Sequence, residues 1–195
     1  MNNSEQQKGL RRELRFSRSK VDRNLAAHGL KYVEVKPLLQ ALLEENGLLG
    51  LYGSELLLLE KALGLGAGEL AIDLVGELVS VKRVPAGTKV SYGYLGQTEG
   101  STNLGLVAIG FSDGIPRNAT NQFEVKVGEN GFSGIGRIAM DQCVIDLGDA
   151  NPRLGSEVSF FNSNSSLETW VKISGFTPLE IFGRITARVK RVWVA

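Results

Sequence analysis

The chain predicts a mainly β protein, an antiparallel barrel or Greek-key-like domain preceded by a short helical segment. Three observations carry this. From about residue 70 onward, short runs rich in Val, Ile and Phe follow one another. The turn signals PAG, SDG, GENG and NPRLG separate them at short intervals, a spacing that suits antiparallel strands better than strand-helix-strand units. Upstream, leucines recur at helical rather than alternating spacing.

A basic, polar leader runs to about Arg23. Leu38, Leu39, Leu42 and Leu43 then mark one helix face, and Gly47 follows as a C-terminal stop. A second apolar helix is expected over Glu55 to Leu63. Leucine on nearly every side of Leu56 to Leu59 asks for a partner surface that so short a segment hardly supplies, which makes the stretch a candidate docking region. The expected strands are AIDLVGELVSVKRV, TKVSYGYLG, LGLVAIGF, FEVKVGENGFSGIGRIAM, QCVIDLG, SEVSFF and RITARVKRVWVA. In the last, alternation places Arg184, Thr186, Arg188 and Lys190 on one face and Ile185, Ala187, Val189 and Arg191 on the other. The expected organisation is a leader and Leu-rich helical segment over 1–69, a remnant or docking region, and a β domain over 70–195.

Composition narrows the function classes. The 195 residues suffice for one good domain. Lys plus Arg number 22 against 21 Asp plus Glu, so no global field draws the chain to nucleic acid or a membrane surface. A small-molecule or protein partner is expected instead. Cys143 is the one cysteine, which excludes an internal disulfide and a thiolate zinc cluster. The stretch Leu48 to Leu70 is broken by Ser54, Glu55, Glu60 and Lys61, a poor membrane span. The start MNNSEQQKGLRRELRF has no apolar signal-peptide core, and the expected location is the cytoplasm.

Few motifs carry chemistry by themselves. The G-x-G patterns in GLGAG and GFSGIGR lack the strand, helix and downstream acid of a nucleotide fingerprint and read as turns. His28 is the one histidine, with no companion for a metal site or a catalytic triad, and reads as a surface residue. Asp113, Asp141 and Asp146 stand near glycines or strand ends, where Asp caps turns; Asp141 stays open as a site residue. In KVSYGYLG, Tyr92 between Ser91 and Gly93 is either a strand aromatic or a phenol held out for chemistry.

Taken in order, VKRVPAGTKVSYGY, GLVAIGFSDGIPRN, GIGRIAMDQCVIDLG, LGSEV and EIFGRITARVKRV resemble the C-terminal domain of alanine racemase, over about residues 70 to 195. That family consists of homodimeric pyridoxal-phosphate isomerases that interconvert L- and D-alanine and so supply D-alanine for peptidoglycan. In it an N-terminal (β/α)8 barrel carries the cofactor lysine, and the β domain of one subunit closes over the cofactor of the other. The resemblance implies that Tyr92 matches the tyrosine that serves as one of two bases. It implies that Met140 matches the residue whose backbone amide helps hold the substrate carboxylate, and that Phe111 and Asp141 match residues at the substrate entrance. Racemisation removes a proton from one face of a planar carbanion and returns it on the other, so two bases stand on opposite faces. A phenol with an ordinary pKa of about 10 needs nearby positive charge to serve as one of them.

The chain departs from the family pattern in ways that shape the expectation. No VKANAYGHG-like lysine motif is found. The nearest echo, GLLGLYG, has Leu48 where the lysine would stand before Tyr52, and Lys36 lacks the rest of the motif. About 70 residues precede the β domain, too few for a barrel of about 200 or more. Phe111 stands in GFSDG where the family often has tyrosine, and Leu179-Glu180 stands where it has a phosphate-binding tyrosine. Leu95 and Gly96 replace the Thr and Tyr that follow SYG. The resemblance therefore implies a domain that contributes its tyrosine to pyridoxal phosphate bound on another chain, either a barrel-type protein or a homodimer mate, with a small amino acid as substrate. The isolated chain is expected not to racemise alanine. The alternative is a non-catalytic, truncated β module that binds a partner.

Overall fold

In the computed structural model, which describes residues 9–44, 51, 53–161 and 163–195, one long strand organises the domain. This strand, β2 (Ile72–Val84), has 13 residues and a β-bulge between Leu78 and Ser80. A bulge bends and twists a strand, which lets the two halves of β2 face different neighbours. Its second half pairs antiparallel with β5 (Thr102–Val107), with Leu78 opposite Val107 and Arg83 opposite Asn103. The sheet continues through β8 (Cys143–Asp146), β7 (Asn130–Gly134), β6 (Glu124–Val127) and β9 (Glu157–Ser159), and β9 returns to β2 with Val75 opposite Ser159. These six strands close an antiparallel barrel, and closure leaves no open edge among them. A short hairpin, β3 (Lys89–Val90) with β4 (Gly96–Gln97), forms a separate two-stranded sheet.

Two further strands extend the sheet from the first half of β2. β1 (Glu13–Ser17) pairs antiparallel with it, Glu13 opposite Val75, and β10 (Lys190–Val194) pairs parallel with β1. Strand β1 lies in the stretch expected as a polar leader. Its sequence ELRFS alternates, burying Leu14 and Phe16 while Glu13, Arg15 and Ser17 stay part-exposed. Five residues with two apolar positions are too short a pattern to stand out in a basic segment; β2 and β10 on either side supply the ladder that makes them a strand.

Three helices follow β1: α1 (Arg18–Ala27), α2 (Tyr32–Leu42) and α3 (Gly53–Leu63). The two expected Leu-rich helices are α2 and α3. Their leucines face inward, since Leu38, Leu39, Leu42, Leu59 and Leu63 are buried in the same cluster as Leu14, Phe16 and Ile72. α1 and α2 both pack against α3. This packing buries much of the leucine surface, while Leu57 remains 51% exposed. Gly47, expected as a helix stop, and Leu48 and Tyr52 lie outside the described residues. Among the described residues no helix is long and apolar enough to cross a membrane.

The far end of the barrel is covered by α4 (Asn164–Ser174) and α5 (Pro178–Gly183), neither anticipated. The α4 helix begins at Ser163, whose hydroxyl accepts from the Ser166 N–H, and stops at Gly175 with φ 75°. Helix α5 has a reciprocal cap: Thr177 Oγ1 accepts from Glu180 N–H, the Glu180 carboxylate accepts from Thr177 N–H, and Pro178 opens the first turn. Trp170 of α4 sits in an aromatic nest, with centroids 5.5 Å from Phe123, 6.1 Å from Phe160 and 5.8 Å, edge-on, from Phe161. Each such pair contributes about 0.5–1.5 kcal/mol beyond area burial.

The last expected strand also differs. Only residues from Lys190 onward are extended in the sheet; before them Ile185 and Val189 are buried and Ala187 is exposed. The Arg191 guanidinium folds back and donates to the carbonyls of Leu42, Ile185, Thr186 and Val189. Those carbonyls are thereby taken up by a side chain rather than by a ladder, so residues 185–189 form a loop.

Candidate functional site

The hairpin that carries Tyr92 is built on strained backbone. Between β3 and β4 the chain makes a single 3-10 turn, Tyr92–Tyr94, entered through Ser91 at φ 62°. A non-glycine residue at positive φ costs about 1–3 kcal/mol and persists only where neighbours hold it. Here the Ser91 hydroxyl donates to the Arg137 carbonyl over 2.6 Å. Gly93 (φ 72°) supplies the next left-handed residue without a side chain, and the Arg137 guanidinium lies against it. The Tyr92 ring is thereby lifted out of the sheet and is 71% exposed. Of the two sequence readings, the structure shows an outward phenol and not a packed strand aromatic.

Tyr92 borders an open pocket of ≈ 370 Å³ together with Ser91, Arg137, Ala139, Gln142, Cys143 and Val144. Ala139 and Gln142 are the ends of a turn, closed by the Ala139 N–H to the Gln142 carbonyl at 3.0 Å, whose middle residues are Met140 and Asp141. The structure thus brings Tyr92 and the 139–142 turn to one pocket. Met140 is 56% exposed, and its N–H donates to no acceptor among the described residues.

A second turn, Phe111–Asp113, is zipped onto the first. Phe111 N–H donates to the Ala139 carbonyl at 3.0 Å and Ser112 N–H to the Met140 carbonyl at 2.9 Å. Gly110 makes this approach possible, since a Cβ there would stand 2.3 Å from the Met140 carbonyl oxygen and 2.4 Å from that of Ala139. Ser112 Oγ lies 2.6 Å from the Met140 carbonyl and 3.1 Å from Asp141 Oδ1, so its one proton is shared between these two acceptors. Phe111 is half-buried, with the Arg117 guanidinium 5.3 Å from its ring centre. It lines a separate ≈ 420 Å³ pocket with Pro116, Arg117, Phe176, Arg184 and Thr186, so Phe111 and Tyr92 face different cavities.

Charge at the two turns is ordered by Arg188. Its Nη2 donates to Asp141 Oδ1 at 2.6 Å, its Nη1 to Ser112 Oγ, and its Nε lies 3.5 Å from Asp113 Oδ1. Burial works against Asp141 ionising, but the hydrogen bonds from Arg188 and Ser112 and the charges of Arg188 and Arg12 outweigh it and hold the carboxyl below its ordinary range. Asp113 is fully buried, and desolvation raises its pKa despite the Gly110 N–H at 2.8 Å and the charges of Arg12 and Arg188. Burial likewise pushes the Cys143 thiol up, which leaves it a poor nucleophile.

Arg117, Arg137 and Arg184 form no ion pair with an acid among the described residues, and they line the pockets beside Phe111 and Tyr92. Arg184 and Arg188 enter the sequence reading only as part of the basic face of the last expected strand, while Arg117, Arg137 and Ser112 carry no motif of their own. Their signal is position: Arg117 and Arg137 sit inside GFSDGIPR and GIGRIAMDQ. Lys36 is exposed on α2 and lines none of the three pockets. His28 is exposed at the end of α1, and no group of acidic, His and Cys side chains able to hold a metal occurs among the described residues.

Residues 71–193 match the family described as alanine racemase, C-terminal domain. An alanine racemase of Streptomyces coelicolor is 43% identical over 125 residues, 62% of this chain and 32% of that protein. Its solved relative from S. coelicolor A3(2) superposes with a TM-score of 0.64 at 38% identity, covering 69% of this chain and 39% of that one. The alanine racemase of Bartonella henselae, solved with covalently bound pyridoxal phosphate, gives a TM-score of 0.60 at 25% identity, covering 64% and 35%. The chain spans about a third of the length of the curated relatives it matches. With its closed six-stranded barrel and a family match over most of its length, the chain belongs to the alanine racemase family, through that family's C-terminal domain.

Proposed function

We propose that this domain contributes Tyr92 as a proton-transfer group to a pyridoxal-phosphate site on another polypeptide, where L- and D-alanine are interconverted, and that the chain is inactive alone. The observation that carries the reading is the placement of Tyr92: an exposed phenol on a strained, glycine-relieved turn, beside the Met140 turn. The chain's own described residues do not fit the cofactor. The Tyr92 pocket has no lysine among its lining residues, and Leu179, at the position where the family is expected to have a phosphate-binding tyrosine, is buried and has no donor.

What the chain offers is one face of a site. The Tyr92 hydroxyl holds or delivers a proton at the exposed end of the ring. The Met140 N–H, undonated among the described residues, is a hydrogen-bond donor for a substrate carboxylate. Arg137, against Gly93 and bordering the same pocket, adds positive charge that favours anions there. The ionised Asp141, neutralised by Arg188, adds little net field of its own.

The test is complementation. A full-length barrel-type alanine racemase whose own β-domain tyrosine is replaced by Phe is mixed with the chain, and D-alanine formation is followed. Activity that returns on mixing, and does not return with the Tyr92→Phe chain, supports the proposal. D-Alanine formed by the chain alone with pyridoxal phosphate would overturn the partner requirement. The loss of hydroxyls at Phe111 and Leu179 favours a second reading, a domain that binds such a partner without turnover; its signature is a stable complex that yields no D-alanine.

A further inference from the structure

We infer that Arg12, from the segment before β1 and outside the region that matches the family, is a positioning residue: it neutralises buried Asp113 and so leaves Arg188 free to hold Asp141 and the Met140 turn. The inference rests on the reading of that turn as the substrate side.

The geometry is a ladder of alternating charge. Arg12 is itself buried; its Nε donates to the Ala108 carbonyl at 2.5 Å and lies 3.6 Å from Asp113 Oδ2. Asp113 Oδ2 accepts from Gly110 N–H, while Asp113 Oδ1 and Arg12 Nη2 are buried with no hydrogen-bond partner among the described residues. An uncompensated buried carboxylate is strongly destabilising, so Asp113 depends on the charge of nearby cations more than on hydrogen bonds. Two arginines supply it, Arg12 on one oxygen and Arg188 on the other. The remaining charged or titratable groups that bear on it are Asp141, which opposes its ionisation, and the neutral Cys143 thiol.

Arg188 is therefore shared. Its near contact, 2.6 Å, is Asp141, and its longer one, 3.5 Å, is Asp113. With Arg12 removed, Arg188 is the one cation left for the buried acid among the described residues and is drawn inward, away from Asp141 and Ser112. The main chain is arranged to the same end, because the Arg12 carbonyl accepts from Lys190 N–H at 2.9 Å, two residues beyond Arg188. Arg12 thus fixes the Arg188 loop through both its backbone and its side chain.

The experiment is a titration of the aspartate carboxyl carbons in the full chain by NMR, with no racemisation involved, so its result is independent of whether Tyr92 is a base. In Arg12→Met the Asp141 midpoint is expected to rise by about one unit, the lower end of what a close ion pair contributes, and Arg12→Lys is expected to restore most of it. An Asp141 midpoint that is unchanged or lower in folded Arg12→Met overturns the inference. A second pair of proteins decides the matter even where Arg12→Met alone does not fold. In Asp113→Asn the buried charge is gone, so adding Arg12→Met there should permit folding and raise the Asp141 midpoint by clearly less than the unit or so expected in the wild-type background, through the direct charge of Arg12 alone. A rise of about one unit or more, or unfolding, in that double variant would mean that Arg12 does not act through Asp113.

Discussion

The Ser91 hydroxyl donates to the Arg137 carbonyl over 2.6 Å, and this one bond ties the residue before the exposed phenol to the strip that leads into Met140. Ser91→Ala is expected to cost about 1 kcal/mol for the lost hydrogen bond and to release the Tyr92 turn. Ser91→Gly loses the same bond but relieves the positive φ of 62°, so its loss should be smaller. Urea midpoints of the two variants check the order; Ser91→Gly less stable than Ser91→Ala would contradict it.

Gly110 is a steric hinge pin. A Cβ 2.3 Å from the Met140 carbonyl oxygen forces the two turns apart, and overpacking of this kind costs about 1–3 kcal/mol. Gly110→Ala should lower the thermal midpoint and, in amide exchange, lose protection first at Phe111 and Ser112, whose N–H groups bridge the turns. Wild-type protection at both positions would show that the turns tolerate the methyl group.

Strand β1 should be indispensable. Phe16 is fully buried with Trp193 of β10 5.6 Å away, and truncating such a phenylalanine costs about 3–5 kcal/mol. Phe16→Ala is expected to destabilise the barrel itself, seen in the Trp193→Phe background, where Trp170 is the one tryptophan, as the same unfolding transition by near-ultraviolet circular dichroism and by far-ultraviolet signal. A barrel transition unmoved by Phe16→Ala would make β1 an appendage.

The two aspartates act on stability with opposite sign as the solution is acidified. Asp141 has a depressed folded pKa, so its contribution is present above the unfolded value near pH 3.9 and is lost as pH falls through the lower folded value. Asp113 has a raised folded pKa, so its burial costs stability at neutral pH, and that cost is relieved as pH falls from the folded value toward about 3.9. Asp141→Asn should flatten the acid limb of the stability curve. Asp113→Asn should remove the opposing gain and steepen the fall. Urea midpoints measured from pH 7 to pH 2.5 read both slopes.

Much of the fold was legible because its strands carry clear alternation and clear turns. β2 over Ile72–Val84 and the β6–β7 hairpin around GENG fall where the pattern puts them. Helices α2 and α3 followed from leucine spacing. What was missed had competing signals. In α4, Leu167, Trp170 and Val171 stand at helical spacing, but SEVSFF just before it reads as strand. The T-P-x-E cap of α5 is present in FTPLE, but one capping signal before only six helical residues is too short to stand out beside the alternating run that follows it. RITARVKRV alternates by composition, yet Arg191 claims its carbonyls. At the site, the motifs single out Tyr92, Phe111, Met140 and Asp141 as expectations, and they carry no sign that Phe111 and Tyr92 face different pockets. Nor could they show the role of Arg12, because an ion pair across the sheet leaves no spacing to read.

The first and last described strands, β1 and β10, lie side by side and in the same direction. β1 is synthesised well before its neighbour β10, so its second edge stays unpaired until Lys190–Val194 has left the ribosome. Pairings between segments this far apart in sequence carry a large loop-closure cost and fold slowly. Until then Leu14 and Phe16 lack part of their cover, and the nascent chain exposes a short apolar edge that invites association with other chains.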